Sequence, residues 1–476
     1  MRFQKTFLAT ILLVCGYMHG QNKQLLYDFG EVPQSLMVNP GTKVDFKWYA
    51  GIPMLSGISL QVGSSGISAN DIFADDGLDI NDKVRDRAIG GMKIEDELSG
   101  TYQLELLSGG FQGRNPNNFY SFGIYNEGDA IGYWFKDYAI LAFEGNADYL
   151  DKRFDLSHLK TRGEMMNVFH FGVNKRMGNG LVLGLRGKLY SSILDFNSTG
   201  NRGYFVTTEG QNNLLASTLN ADMQLRTSGL SALDEAKDDG NLASTIIKRG
   251  FFGGNLGVGV DLGFSYNINE QLVVTGSLLD LGFIYHANDV KSYSLNGNAT
   301  IEGIEIILPS ALSDSNRDFW QDFVDEVDAL VPFEDDSESY VAFRPTKLYA
   351  SLRYNFGKPV RSRQDCDCNY SVSSNKGSLK YANGVGGQIY MINRPRGPQT
   401  ALTAFYHRRF GDVMAVKATY TVDKFSLTNV GLGVSMQAGP VNLYLMADNL
   451  LAYQNLAASQ YTSFQLGLNI ISWGKN

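Results

Sequence analysis

The chain has 476 residues, with 41 lysines and arginines against 49 acidic residues and a formal charge of −8. That balance leaves no basic footprint for nucleic acid, whose phosphates require one. A mean hydropathy of −0.17 and the lack of any apolar run of about 18 residues beyond the N-terminus exclude a helical inner-membrane protein. Glycine is abundant at 52 residues, and 25 tyrosines and 28 phenylalanines far outnumber 4 tryptophans. Membrane β-barrels have this composition, with glycine where backbones approach closely and aromatics in interfacial girdles.

The N-terminus begins with Arg2 and Lys5, continues through the apolar stretch Phe7 to Cys15, and reaches Met18-His19-Gly20. This is the layout of a secretory signal, and the apolar run is too short to span a bilayer as a helix. Cleavage is expected after Gly20. Val14 stands before Cys15 where a lipoprotein signal requires a small residue, so lipidation at Cys15 is not expected. Residues 21–42 lack strand alternation and are expected to form an N-terminal plug or periplasmic segment. The barrel is expected over 43–476, starting with a strand on Val44, Phe46, Trp48 and Ala50.

From there, period-two alternation recurs in many windows, and on a strand alternate side chains face opposite sides. Leu181, Leu183, Leu185 and Leu189 alternate with Val182, Gly184, Arg186, Lys188 and Tyr190. Leu256, Val258, Val260, Leu262, Phe264 and Tyr266 alternate with Gly257, Gly259, Asp261, Gly263 and Ser265. Leu348, Leu352 and Tyr354 interleave with Tyr349, Ser351 and Arg353, and Val441, Leu443 and Leu445 with Asn442, Tyr444 and Met446. The last strand carries Phe464, Leu466, Leu468 and Ile470 outward, with Trp473 closing it. Turns at 177–180, 267–270 and 438–440 predict antiparallel hairpins. The expected fold is all-β: a transmembrane antiparallel barrel of about 14 strands. Charged or helical loop insertions are expected near 70–100 and 307–340, the second holding Phe319, Trp320, Phe323, Val324, Val327 and Leu330 at helical spacing.

No nucleophile elbow, zinc-binding helix or phosphate-binding loop occurs. The sequence therefore assigns no catalytic residue, no metal and no cofactor. His158, His170, His286 and His407 are scattered singly, and Cys366 and Cys368 make an incomplete metal site. The acidic runs at Asp75-Asp76 and Glu334-Asp335-Asp336 lack calcium-loop spacing and read as solvated loops. Arg186, Lys188, Asp261, Arg353, Lys417 and Asp448 fall in the inward phase. A basic side chain facing lipid costs about 2–4 kcal/mol at the midplane, so they are expected in the lumen, bracing strands by ion pairs.

Val32-Pro33-Gln34-Ser35, followed by Asn39-Pro40-Gly41, resembles the Ser…Asn-Pro-Ala-Gly stretch that opens barrels of the FadL type and the PorV barrels of type IX secretion. Gly51-Ile52-Pro53, Asn70-Asp71-Ile72-Phe73, Leu279-Asp280-Leu281-Gly282 and Ala447-Asp448-Asn449-Leu450-Leu451 are similar to runs in a family of uncharacterised Bacteroidota outer-membrane barrels. The resemblance implies a barrel of about fourteen strands, with Pro33, Ser35, Asn39 and Pro40 in a plug. It supplies neither substrate nor catalytic residues, and Gly41 stands where the FadL type usually has Ala. Two roles follow for a non-enzymatic protein of the Gram-negative outer membrane. One is passive transport of small or hydrophobic solutes. The other, as in PorV-like and PorP/SprF-like barrels, is docking of secretion, gliding or envelope-assembly proteins. The partners implied are outer-membrane lipid and, in the second role, other envelope proteins.

Overall fold

A strand in lipid has no water to satisfy its N–H and C=O groups, so alternating strands must close on one another. They do so in the computed structural model, which describes residues 23–210, 215–302, 334–360 and 380–472. Fourteen antiparallel strands form the wall. The first half comprises β1 (Trp48–Gly51, resuming at Ile58–Ser64), β2 (Glu97–Gln112), β3 (Asn118–Tyr133), β4 (Thr161–Arg176), β5 (Leu181–Ser198), β6 (Asn255–Asn267) and β7 (Leu272–His286). The second comprises β8 (Tyr340–Phe343, resuming at Lys347–Val360), β9 (Lys380–Arg394), β10 (Gly397–Phe410), β11 (Met414–Val422), β12 (Asn429–Ala438), β13 (Val441–Asp448) and β14 (Tyr461–Ser472). Each strand pairs with its neighbour, and β14 closes on β1 with Ile470 opposite Ala50 and Leu466 opposite Ile58. Where β1 is interrupted, Ile52 N donates to Leu468 O at 3.1 Å and Leu468 N donates to Leu55 O at 2.8 Å, so pairing with β14 bridges the bulge.

Side-chain phase follows the alternation. Leu256, Val258, Val260, Leu262, Phe264 and Tyr266 are all exposed on the outer face of β6, while Gly257, Gly259 and Asp261 face inward and are buried. Trp48, Phe111, Tyr266, Tyr354 and Phe410 lie outside near one rim, and Phe283, Tyr285, Phe343 and Tyr420 near the other. These are the two aromatic girdles of a membrane barrel.

The start of the barrel differs from expectation. Val44 and Phe46 are buried with Leu36, Tyr49, Phe119 and Ile471, and the wall begins at Trp48. Alternation at 44–46 belongs to an extended segment inside the lumen, whose apolar side chains pack against an inward-facing row.

Most short connections among the described residues, at 113–117, 177–180, 268–271, 411–413 and 439–440, lie on the rim that also carries Trp48 and Ser472, whereas the two-residue turn at 395–396 lies on the opposite one. The opposite rim carries the insertions. Helices α2 (Ala69–Phe73) and α3 (Ile80–Lys83) follow β1, and α4 (Lys136–Glu144) follows β3. Between β5 and β6 stand α5 (Leu230–Asp238) and α6 (Leu242–Lys248). Strands Arg153–Asp155, Arg202–Glu209, Leu215–Ser228, Val290–Glu302 and Glu334–Asp336 pair in that spatial order into a flap, joined to the wall where Asp195 of β5 faces Ser228. The sequence signalled helical character at 70–100 but not this flap. The signal segment, Cys366, Cys368, Trp473 and the helix expected around Phe319 to Leu330 lie outside the described residues.

Because Val260 faces lipid near the middle of β6, Val260→Arg is expected to lower stability by about 2–4 kcal/mol. Urea unfolding in lipid vesicles measures this.

Candidate functional site

A barrel of this width with inward charges must either fill with water or be filled by protein, and here residues 23–47 enter the lumen and are largely buried there. Within them α1 (Ser35–Val38) is a single turn. Pro33, Ser35, Asn39 and Pro40 all belong to this plug and are buried. Asn39 folds the chain by accepting from Gly41 N at 2.8 Å, and its amide donates to Phe264 O on β6 at 3.2 Å. Asn174 of β4 donates to the carbonyls of Pro40 and Thr42, both at 2.8 Å. A Cβ on Gly41 would lie 2.4 Å from the backbone of Gly263, and one on Gly184 2.0 Å from that of Pro40. The turn is thus wedged against bare backbone on β5 and β6, which is why alanine does not fit at position 41.

The remaining plug contacts are polar on one flank and apolar on another. Arg186 of β5 donates to the carbonyls of Leu36 and Met37. Lys417 of β11 donates to those of Gln24 and Tyr27. Gln34 bonds Glu105 at 3.0 Å and Asn469 at 2.9 Å. Leu25 and Phe29 lie against Gly431 and Gly433 of β12 and share a buried cluster with Ala415 and Met446. Toward the short-turn rim, Arg353 of β8 donates to Asp28 Oδ1 at 2.8 Å, and Glu31 pairs with Arg409 and with His407, the latter at 3.3 Å.

Above the plug, toward the insertion-bearing rim, the charges link into a network. Asp261 lies directly opposite Arg186 in the β5–β6 register and pairs with it at 3.2 Å and with Lys188 at 2.9 Å. Lys188 also reaches Asp280 at 2.6 Å, and Asp280 takes Lys347 at 2.8 Å. Arg344, in the break of β8, bridges Glu127 and Glu164, and Arg394 holds Asp129 with a second contact at 3.0 Å. Of the charges singled out in the sequence, Arg186, Lys188 and Asp261 come together, whereas Arg353 and Lys417 hold the plug separately. Asp448 accepts from Ser463 Oγ at 2.7 Å on the far side. Alternation could have flagged Glu127, Asp129 and Glu164 by their inward phase. Arg344 has no such signal, since it sits between two strand segments.

Two cavities flank the plug. One, of about 50 Å³, is lined by Lys23 and Val38 of the plug together with Glu127, Asp129, Glu164, Lys188, Asp280, Arg344 and Lys347. The other, of about 110 Å³, lies toward the short-turn rim between Asp28, Glu31 and Asp45 of the plug and Glu270, Arg353 and Arg409 of the wall. Each holds a few waters at most, so anything larger requires the plug to shift.

Glu31 is carried by the plug rather than by a spanning strand. Burial pushes its carboxyl upward, but the Arg409 guanidinium and His407 outweigh this and hold it well below the ordinary carboxylate range. Its depressed value means the latch contributes fully above the unfolded pKa and is lost only as pH falls through the folded one. Protease protection of residues 23–47 is therefore expected to persist down to about pH 4, the usual carboxylate range, and to fail in stronger acid. Glu31→Gln should remove that acid transition.

Asp261 is fully buried whereas Asp28 borders a cavity. Asp261→Asn, which strips Arg186 of its carboxylate, is expected to cost about 3–5 kcal/mol. Asp28→Asn should cost clearly less, as read from the two unfolding midpoints in urea.

The sequence profile of DUF5723, described as a family of unknown function, matches residues 40–448. No curated protein sequence matches the chain. Among solved structures the barrel is similar to a FadL homologue of Pseudomonas aeruginosa at 8% identity, covering 96% of this chain and 97% of that one with a TM-score of 0.40. It is also similar to the Pseudomonas putida toluene transporter TodX at 11% identity, covering 92% of each chain with a TM-score of 0.33. The translocator domain of autotransporter NalP from Neisseria meningitidis matches at 9% identity over 90% of this chain and 88% of that one, with a TM-score of 0.32.

Proposed function

The chain belongs to this family of unknown function, which fixes no substrate, and we propose from its own lumen that it is a gated passive transporter of the outer membrane with residues 23–47 as the plug. The observation that carries the reading is a lumen closed by a separate N-terminal segment, flanked by two cavities lined with charged side chains, rather than by side chains of the wall itself. A wall needed only as a scaffold could fill its interior with inward-facing side chains, as small barrels do. Most short turns gather on one rim and the helices and flap on the other, which supports reading the first as periplasmic by the usual rule for such barrels. The plug then enters from the periplasmic side, where Asp28, Glu31, Arg353 and Arg409 meet solvent.

A second reading, a barrel that docks envelope or secretion proteins, is favoured by the closed lumen and by the flap and helices on the insertion-bearing rim. Planar-bilayer conductance separates the two. Deleting residues 21–41 is expected to convert a closed barrel into one with steady ohmic openings. A deletion variant that inserts but stays silent, while the intact chain co-purifies with other envelope proteins in mild detergent, would establish docking instead.

A further inference from the structure

The plug is not held equally on all sides, and the difference marks a route. Residues 33–42 are fixed to β5 and β6 by the Arg186 contacts and by the backbone-to-backbone wedge at Gly41. Residues 24–29 are fixed to β11 and β12 by the buried Lys417 ammonium and by the packing of Leu25 and Phe29. Between these two anchored stretches the plug meets β7 and β8 through the Tyr27 ring stacked on Tyr349 at 4.8 Å, through Val38 in a buried cluster with Leu279, and through hydroxyl groups. Thr275 Oγ1 donates to Tyr27 Oη at 2.9 Å and lies 2.9 Å from Ser351 Oγ. Ser277 Oγ donates to Val38 O at 2.6 Å, and Ser351 Oγ to Asp28 Oδ2 at 3.3 Å.

These hydroxyls lie between the two cavities. Along β7 the inward row runs from Leu279, which lines the first cavity, through Ser277 and Thr275 to Val273, which lines the second. Along β8 it runs from Lys347 and Tyr349 through Ser351 to Arg353 and Asn355. The Asp28–Arg353 pair that closes the lower end keeps side-chain exposures of 8% and 14%, against 0% and 1% for Asp261 and Arg186. Water reaches the former pair, so parting it leaves its charges solvated; parting the latter would strand them.

We propose that solutes cross along this hydroxyl seam between the plug and β7/β8, and that they are small zwitterions carrying one ammonium and one carboxylate, such as free amino acids. This rests on the transport reading above and adds the path and the solute class. Each cavity presents carboxylates and cations together. The first sets Glu127, Glu164 and Asp280 beside Lys23, Arg344 and Lys347; the second sets Asp28 and Glu31 beside Arg353 and Arg409. A solute with both charges can exchange partners with such pairs while every charge stays matched. A solute with one charge leaves a partner unmatched, and an apolar one displaces water from charged groups without compensation. The seam between the cavities offers hydroxyls that both donate and accept, so it can pass either end of a zwitterion.

The test uses the full chain in liposomes, with swelling in isosmotic glycine compared against sodium acetate and methylammonium chloride, each carrying one of glycine's two charged groups. A Cys pair at Asp28→Cys and Ser351→Cys is joined by a short reducible cross-linker across the seam. A control pair at Leu25→Cys and Gly433→Cys is joined in the same way on the apolar flank. Glycine is expected to swell the liposomes several-fold faster than either single-charge salt. The seam link should abolish that swelling and reductant restore it, while the apolar-flank link leaves it unchanged. Swelling that survives the seam link, or that the apolar-flank link abolishes, overturns the route. Salts that enter as fast as glycine overturn the solute class. If the intact chain admits no glycine but the 21–41 deletion conducts, the seam inference falls while the transport reading stands. If the deletion also fails to conduct, both fall.

Discussion

Backbone groups that cannot find water in lipid govern this molecule at every level. They force fourteen strands to close, and closure divides each strand into an apolar outer row and an inner row cut off from the bilayer. The inner row therefore takes the residues that lipid would reject, and their charges must be matched inside a narrow space. Asp261 opposite Arg186 shows the local solution, in which neighbouring strands supply opposite charges in register. Arg344 shows the other, in which a residue in a strand break reaches back to carboxylates on β3 and β4 across the lumen.

The plug extends the same logic. Its backbone is irregular, so its carbonyls need donors, and the wall provides them from Arg186, Lys417, Asn174 and Ser277. Those four side chains come from four different strands, so the plug's fold exists only inside a closed wall. Conversely, Lys417 has plug carbonyls, not a carboxylate, as its hydrogen-bonding partners together with Gln388. Removing the plug would leave a buried ammonium to be hydrated by incoming water. Plug and wall thus stabilise each other, while the solvent-reached contacts at Asp28 and Glu31 leave one flank less costly to part.

Packing decides where these contacts can be close. The Asn39-Pro40-Gly41 turn meets β5 and β6 at Gly184 and Gly263, where a side chain on any of the three glycines would overlap backbone. Glycine in an alternating strand therefore has a definite role at these two wall positions: it lets a second chain lie against the strand. The same contacts account for the departure from alanine at position 41.

Sequence by itself determined the wall. Period-two alternation is a local property, set by the strand's own geometry and by lipid on one side, so the phases of Leu183, Val258, Leu352 and Leu445 were legible residue by residue. The approximate strand number followed from counting such windows. Alternation misled at Val44 and Phe46 because it records only that side chains face two ways, and a segment inside the lumen can do that too. Tertiary structure alone decided the partners. Asp28 meets Arg353, Glu31 meets Arg409, and Arg344 meets Glu127 and Glu164 across hundreds of residues of chain, because closure brings distant strands to one axis. The flap between Arg153 and Asp336 was equally hidden, since wall strands interrupt its strands along the chain and only the folded structure brings them side by side. Which charges face the lumen was a matter of local phase, whereas which of them hold the plug and which surround the cavities depended on the closed barrel.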